Sequence, residues 1–158
     1  MPYESPFSAE QPVSQEQEPV KQYGTIELSD EEQERLDQAS SGSFEPHPTL
    51  PNVEVQQMSV EELPTSIQEI IKNLGGKPTS YAAIRTKAGV PLHRHTNDGE
   101  VYFSGNGAIV TLLDEHRQEI GRVTLSENAF TATRINQWHS VTNQDEAESL
   151  FFGAKFSS

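Results

Sequence analysis

From Thr79 to the C-terminus the chain sustains no helical repeat. It runs as short β-forming stretches, SYAAIRT, VPLHRH, EVYF, AIVTLL, EIGRVTL, AFTATRI, WHSVTN and SLFFGAKF. The turn-rich clusters TNDG, SGNG, DEHRQ and NQDEAE separate several of them. Many short strands with close turns point to an all-β sandwich or barrel. Within this region His93 and His95 stand two apart, Glu100 follows five residues on, and His139 lies far downstream in WHSVTN. Side chains alternate faces along a strand, so a His-x-His pair places both imidazoles on one side and Arg94 on the other. Asp-Gly within TNDG is a common hairpin dipeptide, which predicts that Glu100 folds back beside the imidazoles.

The first third of the chain has a different character. Through Gln56, twelve acidic residues face two basic ones, whereas the remainder carries twelve against nine, so most of the net charge of −13 lies at the N-terminal end. This segment is rich in Glu, Gln, Ser and Pro and poor in aliphatic residues. Such a composition buries too little apolar surface to offset the entropy of ordering. Residues 1–56 are therefore expected to form an acidic, mostly disordered tail, and residues 57–158 a domain able to bury one core. Inside the tail, LSDEEQERLDQAS predicts a marginal helix with Ser29 and Glu32 spaced as a capping box. The segment SVEELPTSIQEIIKNLGG predicts a firmer amphipathic helix. Thr65 and Gln68 have capping-box spacing, Ile67, Ile70, Ile71 and Leu74 share a face, and Gly75-Gly76 stops it. It is expected to pack on the outside or edge of the β structure.

The absence of cysteine excludes disulfides and thiolate ligands, so a metal would be held by nitrogen and oxygen. The N-terminus has no basic region followed by an apolar run, and no stretch approaches the roughly 18 apolar residues of a membrane span. A soluble cytoplasmic protein is the expectation. The acidic balance, with no basic stripe to neutralise phosphates, argues against nucleic acid and anionic membranes as partners.

The stretch GVPLHRHTNDGEVYFSGNG, with NAFTATRINQWHSVTN downstream, resembles the cupin superfamily. The first family motif has His-x-His, three or four residues, Glu, six residues and Gly, matched by His93, His95, Glu100 and Gly107. The second ends in His, three residues and Asn, matched by His139 and Asn143. The likeness covers about residues 79 to 156. It departs at the opening glycine, where Lys87 stands and Gly89 is displaced by two. It departs again in the second motif, where Asn128, Arg134 and Asn136 replace Gly, Pro and Gly. Asn tolerates positive φ better than most residues, so these turns can survive the changes. The resemblance implies a double-stranded β-helix, the jelly-roll barrel, and a small single-domain metal-binding protein that associates as a homodimer. Open strand edges would be protected by such pairing.

His93, His95, His139 and Glu100 form a ligand set suited to one divalent ion, Fe, Mn, Ni, Co or Zn, whose identity affinity alone does not name. An octahedral ion would keep two positions for a small-molecule substrate or ligand. Strand alternation faces Tyr102 the same way as Glu100, where its phenol donates a proton, orients a substrate oxygen or simply packs. Gln137 and Trp138 fall on the face opposite His139. Arg85 is read as outward on an edge strand, against the alternative of pairing with an anionic substrate inside. Lys155 either snorkels outward or enters the pocket. His47 and His116 are expected at the surface, and SGNG as a hairpin turn, since a strand rather than a helix follows it.

Two functions compete. One is a metal-dependent enzyme acting on an oxygen-rich small molecule as a dioxygenase, isomerase or lyase. The other is a non-catalytic sugar- or metabolite-binding protein whose metal is structural or orients the ligand. A metal-free epimerase fits poorly, because it would not need the paired imidazoles with Glu100.

Overall fold

The computed structural model describes residues 22–144 and 148–158. Eleven strands follow in order: β1 (Tyr23–Thr25), β2 (Glu45–Pro46), β3 (Val53–Met58), β4 (Lys77–Thr86), β5 (Val90–His93), β6 (Gly99–Phe103), β7 (Ala108–Leu113), β8 (Glu119–Leu125), β9 (Ala129–Thr133), β10 (His139–Asn143) and β11 (Ser149–Ser157). Two helices, α1 (Asp30–Ser40) and α2 (Thr65–Asn73), lie between β1 and β4. The strands form a seven-stranded sheet, β1-β9-β6-β11-β4-β3-β2, and a four-stranded sheet, β5-β10-β7-β8. All pairings are antiparallel. This is the expected all-β jelly roll.

From β4 onward each connection passes from one sheet to the other, except that β7 and β8 pair directly across DEHRQ. TNDG and SGNG are therefore inter-sheet corners and not the hairpins their residues suggest. A turn residue reports local backbone shape, whereas the partner of the next strand is set by which face it must bury. At the SGNG corner Ser104 and Gly107 take φ of 53° and 101°. The corner's backbone is satisfied from β8, β9 and β11, Gly107 N–H donating to Leu125 O, Ser104 N–H to Ala129 O and Asn106 N–H to Leu150 O, while the Asn106 side chain accepts Leu150 N–H.

The large sheet is buried on both faces. Between the sheets, Tyr102, Phe151 and Val53 pack against Val110, Leu125 and Val141. On the outer face, Tyr81, Phe103, Phe130 and Phe152 are covered by Leu36 of α1 and Ile67 and Ile71 of α2. The outward packing of α2 is as expected, and Gly75 at φ 80° follows its end. Its start is not. Thr65 provides no side-chain cap; its backbone N–H donates to Glu32 Oε2 at 2.9 Å, while Glu32 Oε1 accepts Ser29 N–H at 2.9 Å in the capping box of α1. One carboxylate thus caps both helices. Burial opposes its ionisation, but these hydrogen bonds outweigh burial and hold it below the usual carboxylate range.

Residues 22–56 do not form the disordered tail that composition suggests, and the boundary at residue 56 falls inside β3. β1 and β3 pair with β9 and β4, and Ile26, Leu36 and Ala39 are buried in the outer core. Few apolar residues suffice here because the sheet already supplies the surface they cover. The remainder of the expected tail, residues 1–21, lies outside the described residues. Because Leu36 is only 2% exposed, Leu36→Ala is expected to cost about 2 to 5 kcal/mol in urea unfolding. An unchanged midpoint would mean that α1 does not seal this face. No helix among the described residues is long and apolar enough to cross a membrane.

Candidate metal centre

His93 ends β5 and His139 opens β10, and the two are direct cross-strand partners. His95 lies beyond the end of β5, in the loop toward β6, so strand alternation does not place it. Its position comes from the chain itself: His95 O accepts Asn136 N–H at 2.8 Å. Asn136 has φ 69°, the left-handed conformation that the glycine-to-asparagine change preserves. The displaced Gly89 likewise takes φ 82°, and a Cβ there would meet Val141 O at 2.4 Å. The ring centroids stand 4.9 Å apart for His93 and His95, 4.2 Å for His93 and His139, and 5.4 Å for His95 and His139. One ligating nitrogen from each of the three falls within 4.8 Å of the others.

Hydrogen bonds decide which nitrogen is presented. The Nδ1 of His93 lies 2.7 Å from Pro91 O, and that of His139 lies 2.9 Å from Gln137 O. A carbonyl only accepts, so each Nδ1 carries the proton and each Nε2 is left with a lone pair. Nε2 of His139 and of His95 is buried without a hydrogen-bond partner among the described residues. The 3.2 Å approach of His95 Nε2 to Glu100 Oε1 is thus a contact out of hydrogen-bond alignment. Burial pushes the His93 pKa down and takes His139 to about 4, overcoming the opposing carbonyl hydrogen bonds. Near neutral pH both rings are uncharged and able to ligate.

Glu100, on β6, is 6% exposed and its backbone N–H donates to Thr133 Oγ1 at 3.1 Å. Its Oε1 accepts the Tyr102 hydroxyl at 2.7 Å. Burial raises the Glu100 pKa, yet the adjacent His95, the hydrogen bond from Tyr102 and the charge of Lys155 bring it below the ordinary value. The Tyr102 phenol is held well above its ordinary value by burial and by the neighbouring carboxylate, so it stays a donor. Glu100 does not join the 4.8 Å group formed by the imidazoles. Gly153 on β11 leaves the space it occupies, since a Cβ there would stand 3.0 Å from Glu100 Oε2.

This donor set, the Nε2 lone pairs of His93 and His139 with the His95 imidazole beside an ionised carboxylate, fits a divalent first-row ion. No protein-family model matches the chain, and no curated protein matches it. Solved structures do match in fold. A predicted oxalate decarboxylase from Thermotoga maritima has 17% identity over 76% of this chain and 96% of its own, with a TM-score of 0.50. An oxidoreductase of the 2OG-Fe(II) oxygenase family from Burkholderia pseudomallei has 11% identity over 86% and 84%, with a TM-score of 0.62. A non-heme alpha-ketoglutarate-dependent carbocyclase from nogalamycin biosynthesis has 10% identity over 88% and 80%, with a TM-score of 0.60.

The chain has a cupin fold.

Within the cupin fold, His93, His95, Glu100 and Tyr102 line a cavity of about 60 Å³ together with His47 and Lys155. A second chamber of about 220 Å³ shares His47, Glu100 and Lys155 with it. His139 is fully buried behind these surfaces. Lys155 is the in-register partner of Glu100 across β11 and β6, so it enters the pocket, the less favoured of its two sequence readings. His47, expected at the surface with His116, is instead half-buried at the cavity; His116 is exposed. Nothing local marks His47, because which loop covers a jelly-roll mouth depends on the sheets beneath it. Arg85 points away from the metal centre as expected, but β4 is internal, and Arg85 Nη2 donates to Glu54 Oε1 at 2.7 Å. Arg94 and Arg117 stack on Trp138, 4.9 and 4.2 Å from its ring, away from the imidazole group.

Proposed function

We propose that this protein is a mononuclear metal-dependent enzyme acting on a small oxygen-rich molecule, with dioxygenase, isomerase or lyase chemistry. His93, His95 and His139 hold one divalent ion, Fe, Mn, Ni, Co or Zn, and Glu100 is its carboxylate ligand. The observation carrying this reading is the buried, partnerless Nε2 of His139, aimed by its pinned Nδ1 into a group with two further imidazoles. Leaving such a nitrogen unpaired is costly, and an ion would satisfy it. When bound, the ion supplies Lewis-acid or redox chemistry to substrate oxygens.

The chain's own residues do the rest. Tyr102 keeps its proton and holds the Glu100 carboxylate in place, which makes it a positioning residue with its hydroxyl committed to Glu100. The apolar wall of Val90, Phe151 and Ile84 excludes bulk water. A cavity near 60 Å³ has room for about two waters, so a reacting fragment of only a few heavy atoms fits beside the imidazoles. The reading includes a homodimer, supported by exposed Leu92 and Ile120 on the edge strands β5 and β8. Light scattering at micromolar concentration would return a dimer mass.

Elemental analysis of untagged protein purified without chelator is expected to give about one equivalent of metal per chain, lost in His93→Ala. Iron would direct assays to oxygen uptake, and zinc or manganese to isomerase and lyase substrates. Absence of metal after reconstitution would sink the reading, while ligand binding without turnover across a substrate panel would leave a binding protein. Tyr102→Phe is expected to weaken metal affinity about ten- to a hundredfold by freeing the carboxylate, as read by chelator competition.

A further inference from the structure

Lys155 is a half-buried cation at the cavity that makes no ion pair within 4.0 Å among the described residues, whereas Arg85, further along β4, is paired to Glu54 at 2.7 Å. In a chain of net charge −13, an unpaired ammonium held at a pocket is not explained by surface solvation. It stands on the inner face of β11, opposite Glu100, between the imidazole group and the second chamber. His47 lines both chambers beside it. The Nδ1 of His47 accepts the backbone N–H groups of Thr49 at 3.1 Å and Leu50 at 3.0 Å. Its proton is therefore on Nε2, and Nε2–H is the group left to donate. A cation and an N–H donor thus share one cavity with the imidazoles.

We propose that Lys155 and His47 form an anion-binding subsite that selects a carboxylate substrate, its acid group seated on Lys155 and the His47 Nε2–H and its adjacent oxygen turned toward the imidazole group. This names the substrate class of the proposed metal centre and rests on that reading. With an ion in place the cavity is net positive, because Lys155 offsets Glu100 and the three imidazoles are neutral. An uncharged sugar or amide of the same shape gains nothing from Lys155, whereas a carboxylate gains a charge-assisted hydrogen bond in a partly dry site. The apolar residues around it strengthen that preference by lowering the local dielectric.

The test is a charge cycle on protein loaded with one equivalent of Co(II). Glycolate and its uncharged analogue glycolamide are titrated calorimetrically into the parent chain, Lys155→Gln, Lys155→Arg and His47→Gln, with metal content measured in each. Glycolate is expected to weaken about ten- to a hundredfold in Lys155→Gln, to recover in part in Lys155→Arg and to weaken in His47→Gln. Glycolamide is expected to change little, which isolates the charge interaction from general damage to the pocket. Metal retained with equal losses for both ligands, with no loss for glycolate, or with no glycolate binding to the parent chain would overturn the subsite alone. Loss of metal in Lys155→Gln would make Lys155 a support for Glu100 and overturn it too. A parent chain that takes up no metal would remove the metal centre, and the subsite with it.

Discussion

His139→Ala is expected to abolish metal binding and, with it, the stabilisation that metal confers on the fold. The ring is fully buried and directly opposite His93 in the β5–β10 ladder, so its removal takes away a ligand that the fold holds rigidly in place. Loss of one ligand from a three-imidazole set exceeds the roughly ten- to hundredfold effect of disturbing an outer partner. Without metal, the variant loses packing but also sheds a buried unpaired nitrogen, and these opposing changes should leave it within about 2 kcal/mol of the metal-free parent. With metal at a thousandfold excess over Kd, the parent gains about 4 kcal/mol and the variant nothing. Thermal unfolding with and without metal checks this: an equal rise in both proteins would remove His139 from the ligand set.

The metal-free protein is expected to lose stability steeply as pH falls from about 6.5 toward 4. Burial takes the folded-state pKa of His139 from the ordinary 6.5 to about 4. Between these values the unfolded chain binds a proton that the folded chain refuses, so stability falls with falling pH. The contribution is fully present above pH 6.5, and below about 4 this group causes no further loss. The span corresponds to about 3 kcal/mol. His93, lowered by burial in the same direction, adds to it. Urea unfolding of chelated protein at several pH values across this window tests the prediction, and His139→Ala should flatten the profile. A slope in the variant equal to that of the parent would show that the titration belongs elsewhere.

The local signals that held were those whose physics is local. The capping box at Ser29 and Glu32, the apolar face of Ile67 and Ile71 and the turn at Gly75 depend only on neighbours in sequence. The capping box assigned to Thr65 and Gln68 failed because Glu32, more than thirty residues away, reached the same N–H first. The hairpins assigned to TNDG and SGNG failed for a related reason: turn residues set backbone curvature, while sheet membership is set by burial of the strands that follow. The segment through residue 56 reads as disordered because composition counts its few apolar residues against no surface at all. The outer face of the large sheet supplies that surface.

By itself the sequence determined the β-rich architecture, through its short alternating runs, and it nominated the three imidazoles and the carboxylate, through residue type and likeness to a known motif. The alternating runs carry that information about architecture because side-chain alternation along a strand is a local property of the backbone. The tertiary structure alone decided that His95 is positioned from the Asn136 turn, that Gly153 makes room for Glu100, and that Lys155 and His47 meet at the same cavity. Those placements depend on the register between β11 and β6 and on which loop closes the end of the sheets. Register and closure are settled by packing between segments far apart in the chain, and no local pattern encodes them.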